Sequence, residues 1–181
     1  MTRIEFSDSE LLILGLIAEM PRHGYELEQV IEQRGMREWT QIGFSSIYYV
    51  LGKLEKKGLV QADQPETAKA KKRYKLTETG QKVLINQTLA ALVSVHPTYP
   101  SLLLGMINFS VLTREQVLGA LKTRKEAVAA EMKRIEKIHF DQQPLPDHVD
   151  AIFEYSIGQL TAESFWINRT YVYLETKAWL D

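Results

Sequence analysis

The sequence contains no cysteine, which excludes a disulfide framework, a thiol nucleophile and thiolate metal ligation. Histidine is scarce: four residues in 181, at positions 23, 96, 139 and 148, with no zinc-ligand spacing such as H-E-x-x-H. The ten glycines form no G-x-G-x-x-G or phosphate-binding loop, and no G-x-S-x-G elbow is present. No catalytic constellation, metal site or cofactor is expected. The apolar run Leu11–Ala18 is eight residues long, against the roughly 20 that a bilayer span needs. Glu5, Asp8 and Glu10 stand before it in place of the basic region of a secretory leader. The chain therefore reads as cytoplasmic, with no membrane partner.

What is present is an ordinary globular composition, 45% hydrophobic and 25% charged, enough for one or two packed domains. The formal net charge of −1 conceals an asymmetry. Residues 45–82 hold nine basic and four acidic side chains. A local basic stripe suits phosphate, although a solvated basic face reads the same way on charge alone.

Helix signals dominate. Ser7 and Glu10 have capping-box spacing ahead of the apolar run, and Pro21 ends that first helix. A second helix follows His23-Gly24, from Tyr25 to Arg34, with Tyr25, Leu27, Val30 and Ile31 as its inward stripe and Gly35 as its stop. A third is expected to start at Ser45 or Ser46, to bury Ile47, Val50, Leu51 and Leu54, and to end at Gly58 in a Schellman stop. Leu59–Ala62 and Lys71–Leu76 read as a small hairpin with a basic tip and return strand. Thr77 caps a fourth helix reaching Val95.

His96-Pro97-Thr98-Tyr99-Pro100 is the clear internal break. It divides the chain into residues 1–95 and 96–181. Beyond it only helices are expected: a short one over Ser101–Phe109, a long one after the Thr113/Gln116 capping box, and a last one capped by Asp147 and reaching Trp179. The fold class is thus mostly α with a small β-hairpin: an N-terminal winged helix-turn-helix plus a C-terminal helical dimerisation domain.

Three helices followed by a basic hairpin suggest double-stranded DNA as partner. A major groove about 12 Å wide admits one α-helix. Ser45, Ser46, Tyr48, Tyr49 and Lys53 are then the groups near the leading end of the third helix that can meet bases or phosphates. Lys69, Lys71, Lys72 and Arg73 would meet the neighbouring backbone. Tyr48 and Tyr49, being adjacent, cannot both face inward. Tyr25 fits the core better than a DNA contact, and His23 can be read as a phosphate contact or as a structural group.

The residues also carry a family resemblance. Leu11-Leu12-Ile13-Leu14-Gly15-Leu16 with His23-Gly24-Tyr25-Glu26-Leu27 resembles the opening of PadR-family bacterial transcription regulators. Ser46–Val60 resembles their recognition helix and its stop, and Lys72–Gly80 their wing return and next helix. The second half, with Pro100-Ser101-Leu102-Leu103-Leu104, resembles the virulence-activator-like C-terminal domain of one branch. Trp39, just before the recognition helix, has no counterpart in this pattern. The resemblance implies a homodimer on an inverted-repeat operator, usually a repressor, in some members responsive to phenolic acids or other small apolar effectors.

Dimerisation has separate support. The last helix carries more large apolar groups than a helical hairpin buries, among them Phe153, Leu160, Phe165, Trp166, Tyr171 and Trp179. These are the candidate dimer-interface or effector residues, the effector being a small aromatic molecule. Packing back onto the winged domain is the simpler alternative for them. Two rival functions stand beside the regulator: a sensor whose output is set by a ligand at the dimer interface, and a protein-binding adaptor on a winged-helix fold.

Overall fold

The structure is a computed structural model that describes residues 6–38, 40, 42–63, 72–95 and 100–177. The chain forms two compact units, residues 1–97 and 98–181.

The first unit opens with helix α1 (Asp8–Glu19). Its capping box forms as the spacing predicts: the Glu10 amide donates to Ser7 Oγ at 3.3 Å, and the Ser7 amide to Glu10 Oε2 at 2.9 Å. Ile13, Leu14, Leu16 and Ile17 are buried, so α1 is covered on several sides. Strand β1 (Arg22–His23) comes next, then α2 (Gly24–Gln33), α3 (Phe44–Lys56), β2 (Val60–Ala62), β3 (Arg73–Leu76) and α4 (Glu78–Val93). Ile47, Val50, Leu51 and Leu54 of α3 are buried against Leu27 and Ile31 of α2 and the α1 stripe. Gly58 takes φ +68°. The Leu59 amide donates to the Leu54 carbonyl and the Gly58 amide to Glu55, which is the Schellman stop expected there.

Several boundaries differ from the sequence reading. The expected two-stranded hairpin is a three-stranded antiparallel sheet in the order β1-β3-β2. Arg22 pairs with Tyr74 and His23 with Arg73. A two-residue strand is too short to show alternation, so β1 carries no sequence signal. Helix α3 begins at Phe44 with Gly43 as its N-cap, not at a capping serine. The extended Gly43 backbone, φ −84° and ψ 162°, starts the helix without a side-chain bond. Asp147 lies in the first turn of the last helix, whose N-cap is Pro146, so its charge acts on the helix dipole and not as a cap. Tyr25, expected inward, is exposed and stacks on His23. Gly24 opens α2, so Tyr25 lies in its first turn, while Leu27 and Ile31 fill the core position.

The second unit holds α5 (Ser101–Ile107), α6 (Arg114–Asp141) and α7 (Asp147–Thr176). Helices α6 and α7 form an antiparallel hairpin. Near its turn His139 Nε2 lies 2.6 Å from Asp150 Oδ1, and that hydrogen bond, with one from Gln143, holds the Asp150 carboxyl below its ordinary range. Midway, Arg124 meets Glu163 at 2.5 Å. At the open end the Arg114 guanidinium donates to the Glu175 carbonyl. Little of this unit is buried: Val117, Leu121, Val128 and Ile167 are its buried apolar residues among those described.

Glu10 fixes α1 against α3. Its carboxylate has no solvent exposure and receives Lys57 Nζ at 2.5 Å, Lys53 Nζ at 3.3 Å and the Ser7 amide. Burial pushes this carboxyl up, but the bonds from Lys57, Ser7 and Lys53 outweigh it, and the pKa lies below the ordinary 4.5. A folded-state pKa below the unfolded one stabilises in full above the unfolded value and is lost as pH falls through the folded one. Glu10→Gln is expected to destabilise the chain by about 1–3 kcal/mol at neutral pH. The difference from wild type should shrink as pH drops below 4.5. Urea unfolding of both proteins at neutral and acid pH measures it.

Candidate nucleic-acid interface

The leading half of α3 presents a polar and aromatic face. Ile47, Val50 and Leu51 point into the core, so at 100° per residue Tyr48 and Tyr49 are turned outward, 53% and 72% exposed. Ser46 is half-buried on the same turn. Ser45 lies within α3, its side chain outside the described residues. Lys53, one turn further on, is partly exposed, with its ammonium on Glu10.

Tyr48 depends on a residue of another helix. A Cβ on Gly24 would lie 2.6 Å from Tyr48 Cε1 and 3.0 Å from Cζ. The bare Cα of Gly24 is what lets the Tyr48 ring lie across the start of α2. The ring is thereby oriented while staying exposed.

The foot of the wing is tied to the same place. His23 Nδ1 lies 3.0 Å from the Lys72 carbonyl, and Arg73 Nε donates to the Pro21 carbonyl at 3.2 Å. Lys72 Nζ stands 3.7 Å from Glu55 of α3. Tyr74 is buried between these elements, and burial, then the negative charge of Glu55, pushes its phenol up. Lys72 and Arg73 are exposed. Lys75 also faces out and pairs with Asp63 at 3.3 Å. Lys69 and Lys71, both expected to contact DNA, lie outside the described residues, as does Trp39. The structure thus brings Ser46, Tyr48, Tyr49, Lys72 and Arg73 onto one unit, with His23 and Gly24 between helix and wing. The role of Gly24 under Tyr48 had no sequence signal, because the contact spans two helices.

Of the candidate interface residues in the second unit, Phe165 is 68% exposed, and Phe153, Leu160, Trp166 and Tyr171 are half-buried. Phe153 stacks on His139 at 4.8 Å. Trp179 lies outside the described residues. An open groove of about 240 Å³ is lined by Glu131, Ile135, Tyr155, Ser156, Gln159, Leu160 and Glu163. Leu160 is the one candidate residue on it.

Comparison with known proteins places this arrangement. Residues 13–86 match the transcriptional regulator PadR-like family. An uncharacterised protein of Lysinibacillus sphaericus is 36% identical over 75 residues, 40% of this chain and 68% of that relative. The chain belongs to the PadR-like family. It is a DNA-binding transcriptional regulator and not an enzyme.

Solved PadR structures share the fold. Bacillus subtilis PadR bound to operator DNA is 18% identical with a TM-score of 0.73, covering 91% of this chain and 98% of that one. The same protein with p-coumaric acid is 17% identical with a TM-score of 0.75, covering 92% and 98%. A PadR-like regulator of Bacillus cereus is 18% identical with a TM-score of 0.69, covering 94% and 100%. No helix among the described residues is long and apolar enough to cross a membrane.

Gly24→Ala tests the contact under Tyr48. A methyl group at 2.6 Å must displace the ring. The expected result is a modest loss of stability, about 1–2 kcal/mol, with a larger loss of DNA affinity than Tyr48→Phe causes. Thermal melts and binding isotherms on the same duplex separate the two effects.

Proposed function

We propose that the chain is a cytoplasmic repressor that binds an inverted-repeat operator as a homodimer, with residues 1–95 as its DNA-binding domain and 96–181 as its dimerisation domain. The observation that carries the DNA half is the joining of an exposed α3 face to a basic strand foot on one rigid unit. In this reading α3 enters the major groove. Ser45, Ser46, Tyr48, Tyr49 and Lys53 meet base edges and phosphates from it. Lys69, Lys71, Lys72 and Arg73 contact the flanking backbone without reading sequence.

The dimer half is supported by apolar surface. Phe165, Tyr173, Tyr155 and Val172 of α7 are all more than half exposed. A monomer seldom leaves that much large apolar surface open. A two-fold axis would set two recognition helices about 34–36 Å apart, matching successive major grooves on one face of DNA. The repressor assignment follows the usual behaviour of the family and rests on promoter geometry, which reporter assays read.

A second reading, a ligand-controlled sensor, is favoured by the groove along Tyr155 and Leu160. Its occupant would be a small aromatic molecule, in line with the p-coumaric acid bound by Bacillus subtilis PadR. Quenching of tryptophan fluorescence by p-coumaric acid at micromolar concentration would favour it. No response to any phenolic acid would leave the unliganded regulator.

Mobility shift and footprinting on the DNA upstream of its own gene are expected to give a protected palindrome that resists nonspecific competitor. The Lys72→Ala/Arg73→Ala double variant should bind all sequences more weakly, with its log–log salt slope shallower by about 0.9 for each phosphate that it no longer neutralises. Sedimentation equilibrium should return twice the chain mass of 20.8 kDa. Phe165→Glu/Tyr173→Glu should return the single chain mass and lose the full-site complex. A wild-type monomer at micromolar concentration would overturn the dimer.

A further inference from the structure

Between Lys82 and Arg114 the sequence contains no Asp, Glu, Lys or Arg, in a chain that is 25% charged. This stretch opens with the far half of α4. The near half of that helix is firmly seated. Thr77 caps it, its hydroxyl accepting from the Gly80 amide at 2.9 Å and donating to the Gly58 carbonyl at 2.8 Å. Gly80 runs so close to the Leu59 carbonyl that a Cβ there would overlap the oxygen. Val83 and Leu84 pack against the core, and Gln87 is the last half-buried residue. From Thr88 to Val95 every residue is exposed.

That end of the helix is apolar on all sides. Leu89, Ala90, Ala91, Leu92 and Val93 follow one another at 100° steps and so span its whole circumference. Leu92 is 80% exposed and Val93 81%. A helix that is apolar all round belongs in a buried setting, and a short unpacked helical end is marginal in water. The chemistry of the surface narrows what covers it. A nucleic-acid backbone and an anionic membrane surface are both met by lysine and arginine, and this end has neither. A partner that comes and goes is selected by charges that reject the wrong ones, and those are missing too. A large uncharged apolar surface is instead typical of an obligate interface, which resembles a domain core cut in half. The partner present whenever the chain is made is a second copy of it. The exposed apolar face of α7 asks for the same partner.

We infer that the end of α4, residues 85–95, is a second contact surface of the homodimer, enclosed by the partner copy. The inference rests on the homodimer reading and adds a site in the winged unit to the one on α7. Its consequence is mechanical. Thr77 and Gly80 join the base of α4 to the stop of α3 at Gly58 and Leu59. A partner that grips the far end of α4 therefore also orients α3, and the two α3 helices of the dimer are held at a set separation.

The test uses the full chain. Leu89→Glu/Leu92→Glu puts two charges on each copy at positions exposed within one chain. The winged unit should keep its wild-type circular dichroism. Sedimentation equilibrium should show the dimer weakened by about a hundredfold or more. A milder variant exploits the absence of cysteine: Leu92→Cys takes the polarity-sensitive dye acrylodan at that one site. Its emission should be blue-shifted in the dimer. It should move to the red on dilution, with the midpoint that sedimentation gives for the same labelled protein.

A double variant that dimerises as tightly as wild type, or a dye as wet in the dimer as in the monomer, would overturn the α4 contact and leave the α7 dimer standing. A dye that stays blue-shifted in the monomer would place the cover within the chain itself and overturn the contact as well. A wild-type chain that is monomeric at micromolar concentration would overturn the homodimer reading and this inference with it.

Discussion

A buried carboxylate holds α3 in place. Glu10 accepts from Lys53 and Lys57, both on the outer half of α3 or its cap, and from the amide and hydroxyl of Ser7 at the start of α1. An ion taken wholly out of water is destabilising unless its partners have good geometry. Here four donors on two elements meet one side chain, so the energy depends on the relative position of α1 and α3 and not on either helix alone. The apolar contacts of Ile13, Leu14, Leu51 and Leu54 hold the same pair together, but apolar packing is tolerant of small slides. The ion cluster is not, and it sets the register in which α3 is offered outward.

A second set of ties joins α3 to the wing. Gly24 passes under Tyr48, His23 bonds the Lys72 backbone, Arg73 bonds the Pro21 backbone, and Glu55 faces Lys72. All four run through the short segment Pro21–Gly24 or through α3 itself. Helix α3 and the foot of the wing are therefore tied together through the α1–α2 turn. A protein that reads one groove and grips the adjacent backbone needs that coupling, because an error of about an ångström between the two disengages one of them.

The periodic parts of this design were legible in the sequence. Ser7/Glu10, Thr113/Gln116 and the Leu54-Gly58-Leu59 stop are local signals, and each is formed by residues a few positions apart. The basic stripe was legible from the charge count, and helical periodicity required at least one of Tyr48 and Tyr49 to face out; both do. What escaped is non-local. Strand β1 exists because β3 offers it an edge, not because Arg22-His23 prefers a strand. Tyr25 reads as apolar in a helix stripe but sits in the first turn, where His23 gives it a stacking partner outside the core. Glu10 reads as a capping residue, and its second role depends on lysines 43 and 47 positions away.

The same ties bear on why one winged unit would be a weak reader. The basic excess of residues 45–82 looks generous in the sequence, yet much of it is committed within the fold. Lys53 and Lys57 serve Glu10, Lys72 faces Glu55, Lys75 faces Asp63, and Arg73 bonds backbone. Each such pair must be shared or exchanged before its cation can meet a phosphate, so the net gain per phosphate is smaller than for a free lysine. Nonspecific affinity scales with the number of phosphates neutralised. A unit in which most of the described cations of this stretch are engaged in this way gains most from joining a second copy, which makes binding at the next half-site intramolecular and multiplies affinity without adding charge. In the proposed dimer that second copy would meet the exposed apolar face of α7. In the proposed dimer, sparing use of charge on the DNA side and excess apolar surface on the far helices are thus two parts of one solution: weak single grips, made specific by requiring two at a fixed spacing.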